Sequence, residues 1–258
     1  MRQWLIIGLL LGLAVVASGC ASVGSSADDD MTGAAEANTK LGVELLQRGE
    51  PQRALQKLNK AVRQDPESSQ AHMVRALAFD RLDKPEKAEE SFEKAVSLDP
   101  ENSQALNNYG SFLCQRGDVA EAIELFDRSA DNPTYESPEV PLTNAGICAL
   151  RNGQRDKAED YFQQALRNEK RQPAALLRMA QIRLEREQYM SARGYYQRYL
   201  DVARQTPLSA WLGVRIENGR GEDADENALA SYKQLLRNKF PDSEETEKLL
   251  EWESDGRL

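Results

Sequence analysis

Small apolar residues recur along the chain at a nearly fixed period. Ala54, Ala88, Ala122, Ala158 and Ala192 lie 34, 34, 36 and 34 residues apart, and four residues after each stands a large apolar side chain: Leu58, Phe92, Phe126, Phe162 and Tyr196. Positions i and i+4 share one face of a helix and the intervening residues are mostly polar, so each pair predicts an amphipathic second helix. Upstream in every period, Leu41-Gly42, Arg75-Ala76, Tyr109-Gly110, Ala145-Gly146 and Met179-Ala180 mark a first helix. Small residues on both helices let them approach closely, and the large residue fills the space beside them. Gly49, Gly117 and Gly153 share one offset between the two helices, where a left-handed residue ends the first. Pro51 and Pro85 follow at a first-turn position of the second helix, and Asp-Pro at 65–66 and 99–100 closes the unit.

This register follows the sequence pattern of the tetratricopeptide repeat. It predicts an all-α protein, a right-handed solenoid of about six helix-turn-helix repeats with a C-terminal capping helix. The repeat domain spans 38–258, with units near 35–68, 69–102, 103–138, 139–172 and 173–206 and a degenerate sixth unit with its cap at 207–258. Between units three and four, "DNPTYESPEVPL" carries Pro133, Pro138 and Pro141 and predicts an extended connection. In the sixth unit Ala228, Tyr232 and Leu235 keep the expected offsets. A last helix from Asp242 or Ser243 to Trp252 is expected to cover the open face of the array.

The first residues read differently. Arg2, the apolar run "LIIGLLLGLAVVA" and "SGC" form an export signal over 1–19. The stretch "ASGC", Ala17 to Cys20, resembles the lipobox of bacterial lipoproteins, with Ala17 in place of the more usual Leu. The resemblance implies that Cys20 carries acyl chains such as palmitate. Because Ala21 and Ser22 follow instead of Asp, it also implies anchoring in the outer membrane, facing the periplasm. Residues 20–37 are small, polar and acidic, and are expected to be a flexible tether.

Charge and chemistry narrow the function. The net charge is −9 without a basic cluster along the chain, which argues against nucleic acid. His72 is the only histidine, so a histidine-based metal site or a Ser-His-Asp triad has nothing to assemble from. Glu86, Glu89, Glu90 and Glu93 have the spacing of a solvated helix face, and "NGRGED" is a loop without a phosphate-binding pattern. No catalytic residue, metal, cofactor or small-molecule substrate is expected. Of three cysteines, Cys20 is assigned to lipid. Cys114 and Cys148 remain, both late in first helices of successive units, and an oxidising compartment favours their pairing. Two buried free thiols are the alternative.

The segment 107–166, with "NNYGSFLC", the connection "NPTY" and "NAGICAL", resembles the PilF/PilW pilotin family of type IV pilus biogenesis, as does the late "LLRNKFPDSEE". That resemblance implies a non-enzymatic outer-membrane lipoprotein that binds the secretin, the ring through which the pilus exits, and promotes its localisation and multimerisation. The alternative is another periplasmic repeat lipoprotein, an adaptor for β-barrel assembly or for peptidoglycan hydrolases. In tetratricopeptide repeats the concave surface is lined by the second, fifth, ninth, twelfth and thirteenth residues of each unit. Counted from Ala35, Ser69 and Glu139, these places select Val43, Leu46, Met73, Leu77, Ile147 and Leu150 as a groove for an apolar segment of the partner. If the register is off by one, they belong to the core.

Overall fold

The computed structural model describes residues 24–257 and folds as a row of antiparallel helical hairpins. The helices are α1 (Gly24–Gln47), α2 (Pro51–Gln64), α3 (Ser69–Arg81), α4 (Pro85–Leu98), α5 (Ser103–Arg116), α6 (Val119–Asp131), α7 (Glu139–Arg151), α8 (Arg155–Asn168), α9 (Pro173–Glu185), α10 (Tyr189–Leu200), α11 (Pro207–Gly219), α12 (Glu226–Lys239) and α13 (Glu244–Ser254). There is no strand among the described residues. Each odd helix packs on the even helix that follows it, and that helix leans on the first helix of the next unit. The first helices of neighbouring units also pack together, α1 on α3, α3 on α5, α5 on α7 and α9 on α11. Second helices of neighbouring units do not approach to that extent, so the row curves with its first helices on the inner side.

The periodic residues are the seams of this array. Ala54, Ala88, Ala122, Ala158 and Ala192 are fully buried, as are Leu58, Phe92, Phe126, Phe162 and Tyr196. The small residue of the first helix is a steric necessity. A methyl group on Gly42 would lie 2.6 Å from Leu58, and one on Gly146 would lie 2.6 Å from Phe162, so the large side chain would have to shift to admit it, as Phe92 and Tyr196 are placed to do opposite Ala76 and Ala180.

The turn inside the hairpin is built identically in all five regular units. Its left-handed residue is Gly49, Gly117 or Gly153 where the sequence supplies glycine, and Asp83 (φ 54°) or Glu187 (φ 58°) where it does not. In every unit the next amide donates back to a carbonyl of the first helix: Glu50 to Leu45, Lys84 to Phe79, Asp118 to Leu113, Gln154 to Ala149 and Gln188 to Arg183. This bond consumes an otherwise orphaned carbonyl at the helix end, which is why the turn persists without glycine. At the other end of the hairpin, Ser68, Asn102, Thr206 and Ser243 cap α3, α5, α11 and α13 by accepting from a first-turn amide.

Three expectations are corrected. Residues 24–37 of the expected tether lie within α1, where the buried Ala35 and Thr39 and the bond from Asn38 Nδ2 to Gln64 Oε1 (2.8 Å) hold the helix against its neighbours. The remainder of that segment, Cys20 and the export signal lie outside the described residues. The connection between units three and four is confined to 132–138, because Pro141 sits in the first turn of α7, where its missing amide leaves no bond unmade. In the sixth unit Ala228 and Leu235 are only half-buried, and the buried residues of α12 are Leu229 and Leu236. They join Ala210, Trp211, Val214 and Leu249 in a separate C-terminal cluster. The last helix is present and capped by Ser243. It packs on both α11 and α12, the place a first helix of a seventh unit would take.

Candidate partner-binding groove

The inner face is built from α1, α3, α5, α7 and α9. Val43 and Leu46 on α1, Leu77 on α3, and Ile147 and Leu150 on α7 are half-buried, packed at their base against the core with part of each side chain left to solvent. Met73 departs from this row. It is only 3% exposed, and Asn108 Nδ2 on α5 donates to its Sδ (3.3 Å), so it cannot meet a partner. The approach of α5 to α3 covers it.

The apolar row is divided. Unit three contributes Asn107, Ser111 and Gln115 to the same face, and Asn144 Nδ2 on α7 donates to Asn107 Oδ1 (2.8 Å). Beside this polar bridge a cavity of about 140 Å³ is lined by Ser111, Cys114, Phe126, Asn144 and Ile147. At the other end, a cleft of about 370 Å³ opens next to Val43, walled by Glu36, Thr39 and Lys40 of α1 and by Asp65, Ser68 and Gln70. The groove thus has an apolar end on units one and two, a polar middle, and a second apolar step at Ile147 and Leu150.

Cys114 on α5 and Cys148 on α7 are joined, with Cα atoms 5.8 Å apart. The bond fastens the two first helices that flank the proline-containing connection.

His72 is buried at the start of α3. Its Nε2 lies 3.0 Å from the Pro66 carbonyl and its Nδ1 lies 3.1 Å from Arg75 Nη2. Only a neutral ring satisfies both, donating from Nε2 and accepting at Nδ1. Burial, helped by the Arg75 charge, lowers its pKa despite the Pro66 hydrogen bond. A base whose folded pKa lies below its unfolded value binds fewer protons in the folded state, so stability falls as pH drops below about 6.5, by at most about 1.4 kcal/mol per pH unit. Urea midpoints measured from pH 7.5 down to 5.5 are therefore expected to fall more steeply for the natural chain than for His72→Gln. Equal slopes would remove His72 as the cause.

Two buried carboxylates were not legible as anything but surface. Glu159 on α8 pairs with Arg183 and with Arg186 (2.7 Å) of α9 and α9's C-terminal end, tying unit four to unit five. Glu217 on α11, 2% exposed, accepts from Arg193 Nε (3.0 Å), Arg220 Nη1 (2.5 Å) and the Asp225 amide (2.9 Å). Every oxygen is matched to a cation or an amide, so both groups serve as joints between units. Among the described residues no group of three or more His, Cys, Asp or Glu is arranged to hold a metal ion, and no helix is long and apolar enough to cross a membrane.

Comparison with known proteins agrees with this architecture. Residues 39–100, 75–137 and 143–210 match the family model for the tetratricopeptide repeat. Over 239 residues the chain is 31% identical to the type IV pilus assembly protein PilF of Pseudomonas aeruginosa, covering 91% of this chain and 94% of that protein. The solved structure of Pseudomonas aeruginosa PilF superposes with a TM-score of 0.77 at 30% identity, over 86% of this chain and 98% of the other. PilW, described as a widely conserved type IV pilus biogenesis factor, superposes with a TM-score of 0.73 at 31% identity, over 84% and 98%.

Proposed function

This chain belongs to the tetratricopeptide repeat proteins of the PilF/PilW type, type IV pilus biogenesis factors, and from that premise we propose that it is a pilotin. In this reading it is a non-enzymatic lipoprotein, anchored in the outer membrane through acylated Cys20 and facing the periplasm. It binds the pilus secretin and promotes that protein's localisation and multimerisation. The observation that carries the reading is the half-exposed apolar row of Val43, Leu46 and Leu77 on the inner face of units one and two, open beside a cleft large enough for side chains of a partner helix.

Full burial of a Val or Leu side chain contributes roughly 1.5–3 kcal/mol, and about half of that is already spent against the core here. Three such residues still supply several kcal/mol, and a buried unpaired carboxylate in their place adds a penalty. Val43→Glu combined with Leu77→Glu is therefore expected to weaken secretin binding by at least about a hundredfold. Heat-stable secretin multimers should be lost while the helical circular dichroism spectrum is retained. Normal multimers supported by a folded variant would remove the groove from the mechanism, and an unfolded variant would assign both residues to the core.

A further inference from the structure

The interval 151–220 carries fourteen Lys and Arg against eight Asp and Glu, a net charge of +6 in a chain whose total is −9. Five of these fourteen cations sit in ion pairs. Arg155 pairs with Glu185, Arg183 and Arg186 with Glu159, and Arg193 and Arg220 with Glu217. Five of the remaining nine gather at one place. Arg167, Lys170, Arg171, Arg198 and Arg204 are all exposed, and none of them forms a salt bridge among the described residues. Arg198 Nη2 donates to the Lys170 carbonyl (2.9 Å), which brings the end of α10 onto the turn after α8. Lys170, Arg171 and Arg198 line a cleft of about 480 Å³ with Asp201 and Val202. Two carboxylates, Glu169 and Asp201, face the five cations, so the patch keeps an excess of positive charge.

Its position in the array matters as much as its charge. In antiparallel hairpins every second helix ends at the edge where every first helix begins. The patch sits on that edge in units four and five. The N-terminal end of α1 emerges from the same edge: residues 32–39 of α1 stand level with the α2–α3 turn, as the Asn38–Gln64 bond and the cleft shared by Thr32, Glu36, Asp65 and Ser68 show. The chain runs on only about 12 Å further as helix before Gly24 is reached. Accepting the lipid anchor of the preceding reading, on which this step rests, the edge that carries the patch is the one drawn toward the bilayer.

We propose that the edge formed by the 169–172 turn and the end of α10 is a headgroup-binding surface that lays units four and five against an anionic lipid bilayer. The same edge in units one to three is acidic, with Glu67, Asp99, Glu101, Asp131 and Glu136 exposed, and an anionic surface repels it. The solenoid therefore tilts, with units four and five down. Half-buried Val202 is the one apolar side chain among the residues that line the cleft, which fits adsorption to headgroups and not the dry core that a stable protein interface needs. Each Lys or Arg near such a surface contributes on its own, and the attraction is screened by salt.

The test uses the full-length lipidated chain reconstituted in vesicles of phosphatidylethanolamine with phosphatidylglycerol, or with phosphatidylcholine in its place. A dye is attached through Asn168→Cys, at the patch edge of α8, or through Gln154→Cys, at the opposite edge about 20 Å away along the helix. Energy transfer to a headgroup-labelled lipid is expected to be greater from position 168 than from 154 in anionic vesicles. The difference should vanish in the neutral vesicles, at high salt, and in the Lys170→Glu, Arg171→Glu, Arg198→Glu variant. Equal transfer from both positions in anionic vesicles, with the protein still floating with the vesicles after a salt wash, overturns the patch and leaves the anchor standing. Failure to float with either vesicle overturns the anchor and the orientation together. A charge-reversed variant that changes self-association without changing transfer assigns the patch to a protein contact and likewise overturns the proposal.

Discussion

Glu217→Ala is expected to destabilise the C-terminal third of the solenoid by about 3–5 kcal/mol, the range for removing one partner of a buried ion pair. Glu217 is 2% exposed and receives Arg193 from α10, Arg220 from its own helix and the amide of Asp225, the residue that caps α12. Its removal strands Arg220, whose side chain is only 9% exposed, and leaves Arg193 with Asp225 alone (3.2 Å). The N-terminus of α12 also loses the bond that positions its cap. The loss should be local. Trp211 and Trp252 stack edge to face at 4.8 Å within the C-terminal cluster, so their fluorescence should report an early transition in urea that circular dichroism of the remaining helices does not follow. Exchanging Glu217, Arg193 and Arg220 together for apolar residues of similar size should recover much of the stability, because the penalty lies in the unpaired charge. A loss under about 1 kcal/mol for Glu217→Ala would mean that water reaches the two arginines and that the site is not the joint described.

Replacing Cys114 and Cys148 with serine should cost about 3–4 kcal/mol, the chain-entropy value for a cross-link spanning 34 residues. The geometric effect is larger than that figure suggests. Repeat arrays are held by nearest-neighbour contacts, so unfolding can stop at a weak interface. The bond crosses the interface between units three and four, where the regular turn is replaced by the connection 132–138. Without it, a single thermal transition is expected to separate into two, one for units one to three and one for the remainder. Mass spectrometry after alkylation under non-reducing conditions provides the prior check, since two alkylated thiols in protein taken from its native compartment would remove the bond. An unchanged, single transition in the serine variant would show that packing alone couples the halves.

The regular part of the fold was legible because it is written in volume. Ala paired with Phe at i+4, opposite a Gly or Ala, leaves one packing solution, and repetition every 34 residues fixes the register. The cap at Ser243 was legible because a capping hydroxyl before an acidic first turn is a local signal. What escaped was set by distant partners. Asp83 and Glu187 adopt a left-handed conformation that Asp visits occasionally and Glu seldom, imposed by the turn they must close. Residues 24–37 have the composition of a tether, yet Ala35 and Thr39 find a surface to bury against. Met73 shares its helical position with groove residues but is covered by Asn108 of the next unit. Glu159 and Glu217 look like any surface carboxylate until residues 24 positions away are folded onto them. The basic edge is only partly written in the linear charge pattern: the excess over 151–220 is visible there, but the gathering of Lys170 and Arg171 with Arg198 follows from the end of α10 folding onto the turn after α8.

A stacked array has no intrinsic length: whatever surface binds unit five to unit six is offered again by unit six, and a second molecule could accept the invitation. The final helix answers this by being half a repeat. It completes the contact that α11 and α12 present, with Leu249 and Trp252 turned inward, while Glu247, Leu250 and Glu251 are left on the exposed side. Two carboxylates around one leucine make a poor template for another hairpin. The array thereby ends on a charged face and not on the surface that would seat a further unit, so growth by stacking is opposed within the chain itself.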